Sequence, residues 1–125
     1  MKIVFIPALL LLFVSCFAPE RNCKDFQTGT FSFTSVVLGD TLTTKFIRTD
    51  SIEVDYYLSR IDSSSVRWLN DCECVVKKNR PLSFQESKAV HMKILTTNKN
   101  TYTFEYNLVG DSANKQRGTV TKLSN

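Results

Sequence analysis

Thiols and one imidazole have the widest chemical repertoire among the side chains of this sequence. Beyond Cys16 the chain contains Cys23, Cys72 and Cys74, and its only histidine is His91. Thiols tend to oxidise outside the cytoplasm, so a structural disulfide from Cys23 to Cys72 is the first interpretation, and the odd count leaves one thiol over. Cys-x-Cys spacing without a second close pair is not typical of zinc ligands. We therefore expect no metal, no cofactor, and His91 as a partly exposed strand residue.

Acid–base chemistry would need positioned carboxylates, and Glu53 and Asp55 share one face of a predicted strand. That face has the character of the polar side of a half-buried strand, so we expect solvated charges there. The sequence contains no Gly-x-Ser-x-Gly elbow and no glycine-rich loop to cradle a phosphate. We predict no enzyme activity and no catalytic residue. The mild formal net charge of +4 argues against a nucleic-acid partner.

Aromatic residues offer the one feature suited to ligand binding. Tyr102, Phe104 and Tyr106 alternate along one predicted strand. Trp68 shares a strand face with the cysteines, so it is expected to pack beside the disulfide. Such a stripe either fills the core of a curled sheet or lines a cavity. A filled interior is favoured for a chain this short; if a cavity exists, these residues and Tyr56 would line it.

Alternation at period two runs through most of the chain and indicates half-buried antiparallel strands. We expect a mainly β fold with minor α content, a curled antiparallel meander or small barrel of about seven strands with one short helix. The predicted strands cover residues 30–37, 42–48, 52–58, 66–76, 91–97, 101–109 and 119–123. In the third strand Ile52, Val54, Tyr56 and Leu58 are assigned to the inner face.

Two further segments complete the predicted elements. The polar run 62–65 predicts a break between strands. Ser83-Phe84-Gln85-Glu86 matches a capping box, which predicts a short helix over 84–90 that lies across one opening of the sheet.

The N-terminus predicts export. Lys2 supplies a positive charge, and the apolar run Ile3–Val14 is too short for a membrane span. Phe13-Val14-Ser15-Cys16 resembles the lipobox of bacterial lipoproteins, which implies cleavage before Cys16 and acylation of its sulfur. An ordinary signal peptide cut near Ala18 and an uncleaved helix are the alternatives.

The lipobox resemblance divides the chain into a signal peptide at 1–15, a tether at 16–22 and a single β-rich domain at 23–125. It implies an outer-membrane lipid anchor, because two or more acyl chains hold a protein stably on a bilayer. No acidic cluster follows Cys16, which favours a periplasm-facing location over surface exposure.

A second resemblance covers nearly the whole mature chain. The residues that carry it are Cys23, Phe26, Gly29, Phe31, Arg48, Glu53, Trp68 and Cys72, then Phe104-Glu105-Tyr106 and Arg117-Gly118-Thr119. This pattern resembles small lipoproteins of flavobacterial type, a family without an established biochemical role. Cys74 departs from the pattern, which has an aromatic residue there, and this leaves open whether Cys72 or Cys74 pairs with Cys23.

Some proteins of that family carry automated names referring to DNA topoisomerase IV. That reaction needs a DNA-gripping scaffold several times larger than this chain, so we predict that the label is a transferred name. The sequence instead predicts a lipid-anchored envelope lipoprotein, a non-catalytic structural or interaction module with the membrane and an envelope protein as partners. A lipocalin-like carrier of a small apolar ligand is the alternative.

Overall fold

Alternating side chains fold the chain into a closed antiparallel barrel, seen in a computed structural model that describes residues 20–125. Its eight strands follow one another in chain order, and the last pairs with the first. The strands are β1 Gly29–Val37, β2 Asp40–Arg48, β3 Ile52–Tyr57, β4 Arg60–Trp68, β5 Glu73–Lys78, β6 Val90–Asn98, β7 Thr101–Leu108 and β8 Gln116–Ser124. A 3₁₀ helix, Cys23–Phe26, precedes β1. The prediction of a mainly β fold with a small antiparallel barrel is confirmed.

Every strand runs antiparallel to its neighbours, so the connections alternate between the two ends of the barrel. The β1–β2, β3–β4, β5–β6 and β7–β8 connections lie at one end, which we call the open end. The other connections lie at the opposite end, which we call the closed end, together with the 3₁₀ helix. Leu38 and Gly39 at the β1–β2 turn both have positive φ, as a type I′ hairpin turn requires.

The N-terminal segment seals the closed end. The guanidinium of Arg21 donates to the carbonyl oxygen of Ile94 at 2.8 Å. Phe26, in the 3₁₀ helix, is buried, and its ring meets the ring of Tyr102 edge-on with centroids 5.2 Å apart. Residues 20–22 of the predicted tether thus continue into a plug that covers the barrel floor.

A disulfide fastens this plug to the sheet. It joins Cys23 in the 3₁₀ helix to Cys72 in the β4–β5 connection, so the predicted pair is confirmed. Cys74, the alternative partner, carries a free thiol that is buried inside the barrel. Burial raises the pKa of the Cys74 thiol to about 12, so the thiol is neutral and unreactive near pH 7.

The hydrophobic core fills only the half of the barrel that adjoins the closed end. Its members are Cys23, Phe26, Phe31, Phe46, Val66, Cys74, Met92, Ile94, Tyr102 and Val120. Apart from Met92, which lies near the open end of β6, each strand residue among them lies within about four positions of the closed end of its strand. Side chains outside this core therefore line most of the half of the interior that adjoins the open end.

Two predictions about the elements are wrong. The polar run 62–65 is not a break: it continues β4, and the chain turns earlier, at residues 58–59. The predicted segment 66–76 consequently divides between β4 and β5, giving eight strands. Glu86 N does donate to Ser83 Oγ at 3.1 Å, yet residues 84–87 form a turn and not a helix. Phe84 is exposed, so a helix there would lack an apolar face to bury.

The orientation of β3 is the reverse of the prediction. Ile52 and Tyr56 are exposed, at 45% and 41%, whereas Glu53 and Asp55 face the interior. The register explains this, because Glu53 is paired with buried Arg48 on β2, and directly opposed residues point to the same face of a sheet. Tyr56 therefore does not line the interior, and the two carboxylates are not solvated outer charges.

Replacing Cys72 by Ser should lower the free energy of unfolding by about 2–4 kcal/mol, because the unfolded chain loses a long cross-link. Urea unfolding without reductant measures this. The control Cys74→Ala keeps the disulfide, so reductant should lower its stability and leave that of Cys72→Ser unchanged. Equal sensitivity of the two variants to reductant would contradict the assignment.

Candidate ligand-binding cavity

The half of the interior next to the open end is a cavity of about 550 Å³. All eight strands contribute to its lining, and Gln85, Glu86 and Lys88 of the β5–β6 connection stand at its entrance. Small-molecule sites typically enclose about 300–1,000 Å³ and are lined mainly by apolar groups, as this cavity is. The cavity thus has the size and character of a small-ligand site.

One side of the cavity is an aromatic wall formed by Phe33, Phe104 and Tyr106. The ring of Phe104 lies 5.8 Å from that of Phe33 and 5.4 Å from that of Tyr106. Gly118 on β8 makes this arrangement possible, since a Cβ there would lie 2.7 Å from Phe33 and 2.9 Å from Phe104. The missing side chain of Gly118 lets both rings pack directly against the β8 backbone.

The opposite side is a polar wall formed by Asp55, Arg60, Asp62 and Lys78. Arg60 and Lys78 both contact the Asp62 carboxylate, at 3.2 and 3.6 Å. Glu86 also contacts Lys78, whose hydrogen bond lowers the pKa of Glu86. In an eight-stranded barrel β3 and β4 lie four strands from β7 and β8, so the polar wall faces the aromatic wall. The cavity is therefore amphipathic across its width.

The floor of the cavity is built around the buried guanidinium of Arg48. Its Nε donates to Glu53 Oε1 at 3.1 Å, and its terminal nitrogens donate to the carbonyl oxygen of Phe26 and to Tyr102 Oη, at 2.9 and 3.0 Å. The Phe31 ring lies 5.0 Å from the guanidinium carbon. Burial alone would lower the pKa of Arg48, but Tyr102 and Glu53 outweigh it and raise the pKa. Arg48 therefore stays charged and joins the plug to the barrel.

Asp55 lies on the polar wall between the floor and the entrance, where its strand partners are Phe46 and Asp62. Burial raises the pKa of Asp55 to about 8, and the nearby Glu53 carboxylate adds to the rise. Within residues 20–125 no cation forms an ion pair with Asp55. Asp55 is consequently mostly protonated at neutral pH.

The residues singled out from the sequence divide between the cavity and other places. Tyr102, Phe104 and Tyr106 line the cavity. Trp68 packs against the core at the closed end, 5.8 Å from the Arg48 guanidinium carbon. Cys16 lies outside the described residues.

Sequence reasoning missed the polar wall. Every second residue of β4 points to the same face, and the sequence already placed Trp68 on an inner face. The residues that share this face with Trp68 are Val66, Ser64, Asp62 and Arg60. Extending that alternation backwards through β4 would have placed the charged residues inside. This alternation was not recognised because residues 62–65 are all polar, and a run of polar residues normally indicates a turn.

Exposed apolar side chains surround the entrance, and every connection at the open end supplies at least one. We call this set the apolar rim, and its members are Leu38, Leu58, Leu82, Phe84 and Val109. Contiguous exposed apolar groups typically mark sites of interaction. The rim places such a surface around the one opening of the cavity that the described residues define.

In comparisons with known proteins, no family model, curated protein or solved structure matches the chain. In the part of the chain that the structure describes, no helix combines the length and apolarity needed to cross a membrane. The same residues hold no group of at least 3 His, Cys, Asp or Glu side chains placed to bind a metal ion. What the described residues define is a small closed antiparallel barrel with one amphipathic cavity.

Relative to its effect at pH 4, replacing Asp55 by Asn should stabilise the protein at pH 8 by up to about 5 kcal/mol, because each tenfold change in proton affinity is worth about 1.4 kcal/mol. In the unfolded chain the carboxyl ionises near pH 4, whereas in the folded protein the pKa is about 8, so wild-type stability falls as pH rises between these values. Asn does not titrate and escapes this loss. Urea unfolding at pH 4, 6 and 8 measures the difference, which should grow with pH.

The matched control is Asp50→Asn in the exposed β2–β3 turn. It should follow the wild-type pH dependence. A constant difference between wild type and Asp55→Asn across this range would show that Asp55 titrates as an ordinary solvated carboxyl.

Proposed function

We propose that this protein is a lipocalin-like carrier that binds a small amphipathic ligand inside its barrel and is tethered to the outer membrane through Cys16. The observation that carries the proposal is the cavity of about 550 Å³, sealed at the closed end and accessible at the open end. Protein interiors are normally packed as densely as organic crystals. A half-filled interior therefore lacks packing contacts that would stabilise a purely structural domain. In a carrier, the same empty space would accommodate the ligand.

The two walls suit a ligand with distinct faces. A ligand that buries about 200 Å² of apolar surface against the aromatic wall gains roughly 5 kcal/mol before the cost of association is subtracted. The polar wall would orient the ligand, because ion pairs among its charged groups already fix their positions. Little reorganisation is then needed on binding, which favours affinity.

The proposal contains no catalytic step. His91 lies on the outer face of β6, 3.6 Å from Glu73, and the cavity residues of that strand are its neighbours Val90 and Met92. The Cys74 thiol is buried and neutral. These two groups, the strongest nucleophile and base candidates in the sequence, do not meet in the cavity.

Membership of the flavobacterial-type lipoprotein family also stays a proposal, and the placement of the pattern residues supports it. Those that gather at the closed end are Cys23, Phe26, Phe31, Arg48, Glu53, Trp68 and Cys72. They plug and brace the barrel. The pattern also includes Phe104, Tyr106 and Gly118, so it covers the aromatic wall of the cavity as well as the closed end.

The apolar rim favours a second candidate function, an interaction module for an envelope protein. A residue spans at most about 3.6 Å, so an anchor at Cys16 would hold Glu20, and with it the closed end, near the membrane. The rim would then face away from the anchoring bilayer, towards a protein partner. If the chain binds no apolar probe, this candidate remains.

Filling the cavity should abolish ligand binding. Thr44 lines the cavity, so Thr44→Trp should weaken binding of the neutral dye N-phenyl-1-naphthylamine at least tenfold, by occupying space the dye needs. Fluorescence titration measures this, with circular dichroism to verify folding. The neighbouring Thr43 is exposed, so Thr43→Trp should bind the dye like wild type. Equal binding by both variants would place the dye outside the cavity and contradict the proposal.

Replacing Cys16 by Ser should release the protein from membranes, because the anchoring acyl chains attach to its sulfur. Mass spectrometry of the wild-type protein should show acylation at Cys16, and carbonate washing should extract the variant only. A variant that matures normally and resists carbonate extraction would contradict the anchor.

A further inference from the structure

The charged groups of the cavity pair with one another almost completely. Arg48 pairs with Glu53 at the floor, at 3.1 Å. Nearer the entrance Lys78 contacts both Asp62 and Glu86, and Arg60 contacts the same two carboxylates. Each of these cations therefore already has an anionic partner. An anionic ligand would have to displace one of these carboxylates to obtain a cation.

Apart from tyrosines, two titratable groups of the lining remain without an ion pair among the described residues, Lys88 and Asp55. Lys88 is exposed in the β5–β6 connection, where its ammonium lies 5.3 Å from the centre of the Phe84 ring on the apolar rim. Asp55 is inside the cavity. Among the described residues, the titratable group inside the cavity that lacks an ion pair is thus a carboxyl, which is hydrogen-bonded to Glu53 and directly opposed on β4 by another carboxylate, Asp62.

The surroundings of Asp55 are those that a cation requires. Glu53 precedes it by two positions on the same strand face, so three carboxyl groups lie on adjacent positions of β3 and β4. The aromatic wall stands opposite, and the negative faces of aromatic rings attract ammonium groups. Arg60 and Lys78 on the polar wall are already paired with Asp62 and Glu86, so a cation placed beside Asp55 would have that carboxyl on one side and the aromatic rings on the other.

Resting on the proposed carrier function, we infer that the ligand is a small apolar amine, whose protonated nitrogen binds at Asp55 while its apolar body packs on the aromatic wall. The ligand cation completes the charge pairing of the cavity, with Asp55 as its counter-ion. A neutral ligand would leave the Asp55 carboxyl protonated and hydrogen-bonded to Glu53, and an anionic ligand would lie against a carboxyl group.

Binding an ammonium requires Asp55 to ionise, which links ligand binding to pH. The other charged groups that line the cavity are Arg48 from β2, Glu53 from β3, Arg60 and Asp62 from β4, Lys78 from β5, and Glu86 and Lys88 from the β5–β6 connection. The tyrosines that line the same space are Tyr57, Tyr102 and Tyr106. Of the aspartate and glutamate side chains, Asp55 alone has its pKa raised towards the physiological range, to about 8.

The test uses three indole compounds of similar size and different charge: tryptamine, a cation; indole-3-ethanol, neutral; and indole-3-propionate, an anion. Isothermal titration calorimetry of the full protein at pH 6 and pH 8 should rank tryptamine the tightest at pH 8. Its affinity should rise roughly fifty-fold from pH 6 to pH 8, in proportion to the ionised fraction of Asp55, because an alkylammonium keeps its proton across this range. Affinity for indole-3-ethanol should stay constant.

Asp55→Asn should remove both the preference for tryptamine and its pH dependence, while Asp50→Asn, in the exposed β2–β3 turn, should retain them. If indole-3-ethanol or indole-3-propionate binds as tightly as tryptamine at pH 8, or if Asp55→Asn binds tryptamine like wild type, the inference is overturned. Failure of all three compounds with N-phenyl-1-naphthylamine still bound in the cavity overturns the inference alone. Failure of the dye as well overturns the carrier function with it.

Discussion

The buried guanidinium of Arg48 is the interaction on which the rest of the structure depends. It connects β2 to Glu53 on β3, to Tyr102 on β7 and to the 3₁₀ helix through the carbonyl oxygen of Phe26. A buried charge is tolerated only when it is paired and hydrogen-bonded, and Arg48 meets that requirement by holding these elements in one geometry. The disulfide adds a covalent connection between the same plug and the β4–β5 connection. Together they seal one end of the barrel.

The polar network and the disulfide seal the closed end, so the other half of the barrel does not have to be filled by side chains to hold the fold together. Core side chains cluster around Arg48, so stability is concentrated where the plug sits, and the walls near the open end need not meet. Space between the walls is then available for a ligand. The raised pKa of Asp55 is consistent with this division into a stabilising closed half and an open half with a cavity. Residues of binding sites often have shifted pKa values that lower the stability of the folded protein.

Much of this fold could be predicted from the sequence, and what could not has physical causes. Alternation of aromatic and polar residues identified β7, because this pattern is local. The cysteines predicted a disulfide from Cys23 to Cys72 with Cys74 as the alternative partner, and only the fold shows which thiol is paired. The reversed orientation of β3 escaped prediction because Ile52 and Tyr56 are apolar residues on the outer surface, while carboxylates face the cavity. Hydrophobic alternation assumes that the inner face of a strand is apolar, and the polar wall of the cavity breaks that assumption. The β4 run around Asp62 was missed for the same reason.

The most direct measurement of the central claim is the titration of the Asp55 side-chain carboxyl carbon by nuclear magnetic resonance in the ligand-free protein. If Asp55 faces a partly desolvated cavity beside Glu53, its resonance should shift with a midpoint near the pKa of about 8. A midpoint near the ordinary aspartate value of about 4 would mean that β3 turns Asp55 towards solvent, and would contradict the amphipathic cavity described above.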